Sequence, residues 1–220
     1  MRRTIVLALA ASVLIAPLAR TYAAALNPQE VERSCNDYTI APAQQIASCT
    51  SILGLYGTAE ANRGLAGVAH LARGTAYGRS GDMARAQDDY REAIRIAGLA
   101  IAGDKSPLFY NDRCWARAVA MIELDTALID CNEALRLMPG FAAALDSRAF
   151  LHLRQGQLRE AMADYDAALK AIPKDPYSLY GRGIAKARAG DSAGASADIA
   201  AGTSLQKGIA EEFAAYGINR

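Results

Sequence analysis

The chain has 220 residues, of which 52% are hydrophobic but only 7% aromatic, so it can bury a sizeable core built mainly from small side chains. Its abundant alanine favours close-packed helices. A formal net charge of +1 without a basic run after the N-terminus excludes the concentrated positive charge that nucleic-acid binding requires.

Residues 1–25 have the pattern of a cleaved secretory signal peptide. Two arginines precede an apolar run over residues 4–16, and small residues with an A-x-A ending close the segment at Ala25. A membrane anchor is the alternative, but this run is shorter than the roughly 20 residues that span a bilayer. We therefore expect a periplasmic or secreted protein without a stable membrane anchor after cleavage.

Residues 26–66 are expected to form an N-terminal capping segment linked by a disulfide. The stretch from Pro42 to Leu53 predicts a single helix that covers the first repeat, followed by a turn at Gly54–Gly57. Cys35 precedes this stretch and Cys49 lies within it.

A triplet of side chains recurs along the rest of the chain, with a period of 34 residues between its two clearest copies. An alanine is followed by a bulkier residue four positions later and by a small residue three positions beyond that. The copies are Ala86, Tyr90 and Ala93; Ala127, Cys131 and Ala134; Ala161, Tyr165 and Ala168; Ala195, Ile199 and Gly202. This period predicts stacked pairs of antiparallel helices, with units at residues 67–100, 107–141, 142–175 and 176–209 and an insertion at 98–106.

These units resemble the tetratricopeptide repeat (TPR) family. Besides the triplets, the resemblance rests on Gly74 and Tyr77 in the first unit and on Pro139 and Pro173, which end second helices. The leading tryptophan of the family is absent, and the first and fourth units lack the closing proline. The resemblance implies an all-α fold, a right-handed superhelical solenoid of about four helical hairpins with capping helices at both ends.

The C-terminal residues fit the second of these caps. Lys207–Ile218 reads as an amphipathic closing helix with Ile209, Phe213 and Tyr216 on its inner side, and residues 210–220 form its end.

The four cysteines predict two disulfides, because an exported chain folds where disulfides form. Residues equidistant from the turn of an antiparallel hairpin face each other, and Cys114 and Cys131 stand so around the turn at residues 122–123. Cys35 and Cys49 have a similar relation about Pro42. We therefore predict the pairs Cys35–Cys49 and Cys114–Cys131. The competing interpretation is that the cysteines are buried free thiols. A metal or redox site is not predicted, because the sequence contains no C-x-x-C motif.

Arginines and aspartates recur in register with the hairpins. The side chains are Arg73, Arg113, Arg148 and Arg182 in the leading helices and Asp89, Asp130, Asp164 and Asp198 in the second helices. Each lies one residue before a site where two helices approach closely, which turns both side chains to the same flank of the hairpin. The series predicts structural ion pairs. The alternative is a row of arginines that binds carboxylate or phosphate ligands.

The TPR resemblance also implies a partner-binding surface on the concave side, formed by the leading helices. The matching positions are Asn111, Asp112, Trp115, Asp146, Phe150, Arg154, Tyr177, Tyr180 and Arg188. We expect Asp112, Asp146 and Tyr180 to be exposed, whereas Trp115 and Phe150 fit binding and packing between hairpins equally well.

No pattern of catalytic, metal-binding or cofactor-binding residues stands out. His70 and His152 lie in different units without a nucleophile motif beside them. The sequence thus predicts a non-catalytic protein–protein interaction module of the cell envelope, without a cofactor, that holds a protein or peptide in its groove. The alternative is a structural subunit built permanently into a larger envelope complex.

Overall fold

A computed structural model of the protein describes residues 28–57 and 62–219. The predicted signal peptide at residues 1–25 lies outside the described residues. Within the described ranges the chain folds into eleven helices: α1 (Pro28–Cys35), α2 (Pro42–Tyr56), α3 (Arg63–Arg79), α4 (Met83–Gly103), α5 (Pro107–Ala120), α6 (Leu124–Leu137), α7 (Ala142–Arg154), α8 (Leu158–Ala171), α9 (Pro176–Arg188), α10 (Ser192–Leu205) and α11 (Ile209–Ala215).

Four helical hairpins form the body of the fold, and each pairs a leading helix with the helix that follows it. The hairpins are α3–α4, α5–α6, α7–α8 and α9–α10, stacked in chain order. The alanines that open the four triplets are at most 4% exposed, so the repeated small residues face the helix contacts. The fold is therefore an all-α solenoid of helical hairpins.

Glycine allows the closest contacts inside two hairpins. A Cβ atom added to Gly74 would lie 2.7 Å from Cε1 of Tyr90, and one added to Gly183 would lie 2.7 Å from Cγ1 of Ile199. Both distances are far below van der Waals contact, so only glycine permits the observed separation of the helices. The second hairpin instead carries the Cys114–Cys131 disulfide at the matching position.

The turn of the second hairpin differs from the other three. Gly81, Gly156 and Gly190 close their hairpins with φ angles of +84°, +73° and +92°. In the second hairpin Met121 and Glu123 adopt positive φ instead, at +59° and +48°. A non-glycine residue in this region costs about 1–2 kcal/mol. The side chain of Glu123 also forms an ion pair with Arg117 at 3.0 Å.

The N-terminal segment forms a second, smaller core against the first hairpin. Cys35 on α1 is joined to Cys49 on α2, and Val31 and Ile52 pack beside them against Ala69 of α3. The predicted turn at 54–57 begins later than expected, because α2 continues to Tyr56.

The predicted insertion at residues 98–106 is largely helical. Helix α4 runs on to Gly103, and Ile101 within this extension is buried. Only a short connection remains before Ser106, whose side chain accepts a hydrogen bond from the backbone N–H of Leu108 at the start of α5. Burial of the apolar face of α4 explains why the helix does not end where the repeat pattern ends.

We expect the Cys114–Cys131 disulfide to stabilise the fold. The bond joins residues 17 positions apart. Closing a loop of this size in the unfolded chain is worth about 3 kcal/mol. The double variant Cys114→Ala/Cys131→Ala should therefore lose about 3 kcal/mol in free energy of unfolding, measured by urea denaturation. In reducing conditions the wild type should lose this advantage, and equal stability of both proteins under oxidising conditions would contradict the prediction.

Candidate partner-binding site

The leading helices α3, α5, α7 and α9 share one surface, here called the inner face, and α11 lies across it. The ring of Phe213 packs 4.9 Å from that of Tyr180 on α9 and 5.8 Å from that of Phe150 on α7. The ring of Tyr216 lies 5.6 Å from that of Trp115 on α5. Helix α11 also contacts α3, so this short helix and Tyr216, which directly follows it, together reach all four leading helices.

Arginines from the leading helices hold the end of this segment through its backbone. Arg154 donates a hydrogen bond to the carbonyl oxygen of Tyr216, and its guanidinium lies over the ring of Phe150 at 5.1 Å from the centroid. Arg188 donates to the carbonyl oxygen of Asn219 over 2.9 Å. Both arginines were predicted to bind a partner, and both bind the chain's own C-terminal residues.

Glu212 on α11 has a buried carboxylate that is surrounded by hydroxyl groups. Tyr216 donates to it over 2.6 Å and Tyr177 over 3.1 Å, while Gln206 donates to the hydroxyl of Tyr177. Burial raises the pKa of Glu212 to about 7, and the hydrogen bonds from the two tyrosines reduce this shift only in part. At neutral pH the group therefore exchanges readily between its charged and neutral forms.

The structure brings together eight of the nine predicted partner-binding residues. Tyr180 is only 3% exposed because Phe213 covers it, and Asp112 and Asp146 are half-buried. The expectation that these three side chains are exposed is therefore wrong. Phe150 is fully buried and Trp115 half-buried, both beneath α11. Asp112 is separated from the rest, because it lines a different and much smaller cavity between α3, α4 and α5.

A cavity of about 300 Å³ remains on the inner face beside α11. Its walls come from the N-terminal parts of α5, α7 and α9, the end of α8, Tyr38 of the α1–α2 connection, and α11. Among the predicted residues it is lined by Asn111, Trp115, Asp146 and Tyr177.

Asp146 is a predicted residue whose acid–base chemistry is altered in this cavity. The hydroxyl of Ser178 donates to its Oδ1 over 2.7 Å. Burial raises the pKa of Asp146 to about 7, and the nearby carboxylate of Asp175 raises it further, against the opposing effect of the Ser178 hydrogen bond.

All four predicted arginine–aspartate pairs are in contact. The shortest distances are 2.8 Å for Arg73–Asp89, 2.6 Å for Arg113–Asp130, 2.7 Å for Arg148–Asp164 and 2.7 Å for Arg182–Asp198. Each arginine donates through two nitrogens to its aspartate. Although burial opposes ionisation, the hydrogen bonds from Arg73 and His70 hold the pKa of Asp89 below its ordinary value. Because each arginine is already paired with an aspartate, the contacts favour a structural role for the series over anion binding.

Sequence reasoning missed the groups that complete the site from elsewhere in the chain. Tyr38 belongs to the N-terminal cap, Asp175 and Ser178 to the start of α9, and Glu212 to α11. The apolar side of α11 was visible in the sequence, but no local pattern indicates that the helix turns back over the inner face. Among the described residues no group of three or more histidine, cysteine, aspartate or glutamate side chains is placed to hold a metal ion.

We expect Phe213 to be the main anchor of α11. The side chain is 1% exposed and lies between Phe150 and Tyr180. The variant Phe213→Ala should lose about 3–5 kcal/mol in free energy of unfolding, measured by urea denaturation. The control Glu211→Ala, at an exposed position of the same helix, should change it by less than about 0.5 kcal/mol. A loss below about 1 kcal/mol for Phe213→Ala would show that α11 is not held on the inner face.

We expect Asp146→Asn to stabilise the protein above neutral pH. The folded-state pKa of Asp146 lies near 7 and the unfolded-state pKa near 3.8. The unfavourable burial of its charge therefore builds up as the pH rises from about 4 to 7 and stays constant above that range. The variant should gain about 1–3 kcal/mol over the wild type at pH 8 and almost nothing at pH 4, as measured by urea denaturation. The exposed control Glu160→Gln should show no such pH-dependent gain, and a gain for Asp146→Asn that is equal at both pH values would contradict the argument.

Comparison with known proteins connects this architecture with one family. A family model described as tetratricopeptide repeat matches residues 68–98 and 142–175. Tetratricopeptide repeat protein 34 of Mus musculus is 39% identical over 87 residues, covering 38% of this chain and 15% of the relative. Sperm-associated antigen 1 of Mus musculus is 33% identical over 85 residues, covering 39% of this chain and 9% of the relative. The chain thus spans only a small part of the length of these relatives.

Two solved structures align with most of the chain. MamA aligns with a TM-score of 0.46 and 16% identity, covering 92% of this chain and 97% of its own. YrrB, described as a TPR protein with an unusual peptide-binding site, aligns with a TM-score of 0.44 and 17% identity, covering 91% of this chain and 89% of its own.

In the described ranges no helix is both long and apolar enough to cross a membrane. The matched segments, together with the four stacked hairpins, show that the chain contains tetratricopeptide repeats.

Proposed function

We propose that this protein is an exported, non-catalytic adaptor of the cell envelope that holds a protein or peptide on its inner face. The observation that carries the proposal is the contact between this face and α11. Side chains from the three leading helices α5, α7 and α9 already enclose an amphipathic helical segment through aromatic contacts and arginine–carbonyl hydrogen bonds. A surface with this shape and chemistry is suited to hold peptide.

The partner binds beside α11 and does not replace it. Ile209, Phe213, Tyr216 and Ile218 are at most 4% exposed. Burial of a large apolar side chain is worth about 1.5–3 kcal/mol, so removing all four would cost roughly 6–12 kcal/mol. That cost is comparable to the roughly 8 kcal/mol of an entire micromolar complex. The cavity that α11 leaves open is therefore the part of the inner face that receives the partner.

A second candidate is a structural subunit of a permanent envelope complex. The second hairpin carries exposed large apolar side chains that the fold does not cover, among them Leu108 at 52%, Ile129 at 65% and Met138 at 43% exposure. Such side chains suit a lasting contact with another subunit, although scattered exposed apolar residues are also common on monomers.

A pair of matched substitutions tests the inner-face proposal. Ala143 is exposed and lines the mouth of the cavity, whereas Ala163 is exposed on α8 and does not line it. The wild type and Ala163→Arg should capture the same proteins from envelope extract. Ala143→Arg should capture at least about tenfold less of them, because its long side chain obstructs the cavity. Quantitative mass spectrometry of the captured material measures this difference.

Equal recovery with all three proteins would contradict binding at the inner face. If an equally recovered partner also stays in constant stoichiometry through gel filtration, the result favours the structural subunit. Circular dichroism of both arginine variants checks that each is folded as the wild type.

A further inference from the structure

The cavity on the inner face is acidic on three sides. Asp146 projects from α7, Asp175 immediately precedes α9, and Glu212 belongs to α11. Among the described residues that line the cavity there is no lysine, arginine or histidine. We propose that this cavity is a binding pocket for an alkylammonium group, the side chain of a lysine in the bound partner. The inference rests on the proposed function, because it specifies which part of the partner enters the inner face.

One carboxylate oxygen in the pocket is left without a donor. Oδ1 of Asp146 accepts the hydrogen bond of Ser178, but within the described part of the chain no donor reaches Oδ2. Asp146 is half-buried at the wall of the cavity, so a group that enters the cavity can reach its carboxylate. Oδ2 is therefore the acceptor that an entering ammonium group satisfies.

Three arginines that contact or act on residues around the pocket are occupied elsewhere. Arg79 donates to the side chain of Gln45 and to the carbonyl oxygen of Ile40. Arg154 and Arg188 bind backbone carbonyls at the end of the chain. These contacts leave the carboxylates of the pocket without a direct cationic partner among the described residues, so a positive charge from outside complements them.

Aromatic rings make the pocket suitable for an organic cation. Tyr38, Trp115, Tyr177 and Tyr216 line it, and the faces of such rings attract ammonium groups. Ala142, Ala168 and Ile172 provide an apolar wall for the methylene groups of a lysine side chain. The volume of about 300 Å³ accommodates this side chain with part of its backbone.

The arrangement of the carboxylates favours lysine over arginine. They come from three separate segments of the fold, whereas a guanidinium group is best matched by acceptors that lie together in one plane. An ammonium group is compact and carries three N–H donors that can rotate, so it can donate hydrogen bonds to acceptors that lie apart.

Proton binding competes with ligand binding in this pocket. The pKa values of Asp146 and Glu212 both lie near 7, so both groups become increasingly neutral below that pH. The charged or titratable groups that act on them are Asp175 and Tyr165 for Asp146, and Tyr38, Tyr90, Tyr177, Tyr216 and Arg79 for Glu212. Because an ammonium group binds the ionised carboxylates, its affinity should rise between pH 6 and pH 8.

The test uses a capped Ala-Lys-Ala peptide and n-butylammonium chloride as probes, with binding followed by NMR chemical-shift titration of the full chain. Both probes should perturb the resonances of the pocket in a saturable way, while the norleucine analogue of the peptide should not. Tighter binding of the peptide than of butylammonium identifies a peptide lysine as the natural ligand. Equal affinities, or tighter butylammonium binding, would instead indicate a site for free amines and overturn the assignment to a lysine.

The variant Asp146→Asn is the decisive change, because its amide oxygen can still accept the hydrogen bond of Ser178. It should weaken peptide binding roughly tenfold or more at pH 8 and reduce the dependence of affinity on pH. Glu160→Gln, which removes an exposed charge on α8, should bind as the wild type. Unchanged affinity of Asp146→Asn, or equal binding of lysine and norleucine peptides, would overturn the inference.

The two proposals fail in different ways. If Ala143→Arg abolishes partner capture while the lysine probes do not bind, the inner face binds its partner but not through an ammonium group. If the lysine peptide binds and Ala143→Arg leaves partner capture unchanged, the pocket exists but the proposed adaptor function through it is wrong.

Discussion

The close approach of two helices within each hairpin is the constraint on which the rest of the structure depends. It is made possible by alanine, glycine and, in one hairpin, a pair of bonded cysteines at the points of contact. Larger side chains there would push the helices apart, and the arginine of one helix could no longer form a paired contact with the aspartate of the other. The separation of the leading helices, and with it the spacing of the aromatic rings on the inner face, follows from the same contacts.

The features that sequence reasoning predicted are those determined within one hairpin. The two disulfide partners, the four arginine–aspartate pairs and the buried alanine triplets all lie within about 20 residues of each other, where helical periodicity and the position of a turn determine which side chains meet. Disulfide Cα distances of 4.7 and 5.4 Å show how directly the facing positions approach each other.

The features that sequence reasoning missed depend on distant parts of the chain. The sequence places Tyr180 on the exposed concave side, whereas its burial comes from Phe213, which follows a turn at Gly208 with φ of +82°. A local pattern shows that a helix has an apolar side, but not which surface that side will cover. The sequence also gives no indication of the positive φ angles of Met121 and Glu123, since neither residue type favours them.

Four acidic side chains with shifted pKa values fall into two chemical groups according to their neighbours. Asp89 and Asp198 face cations within a hairpin and have lowered pKa values despite their burial. Asp146 and Glu212 face hydroxyl groups and other carboxylates, and their pKa values are raised. The first group holds the scaffold together, and the second leaves an unbalanced negative charge on the surface that the scaffold encloses.

The C-terminal helix also alters the mechanics of the repeat array. Stacked repeats ordinarily contact only their neighbours, so they can fray one at a time from either end. Here α11 contacts α3 of the first hairpin as well as α9 and α10 of the last, and Arg188 holds the backbone at Asn219. Unfolding of either terminal hairpin must therefore break these long-range contacts, so the first and last hairpins are expected to unfold together with the rest of the array.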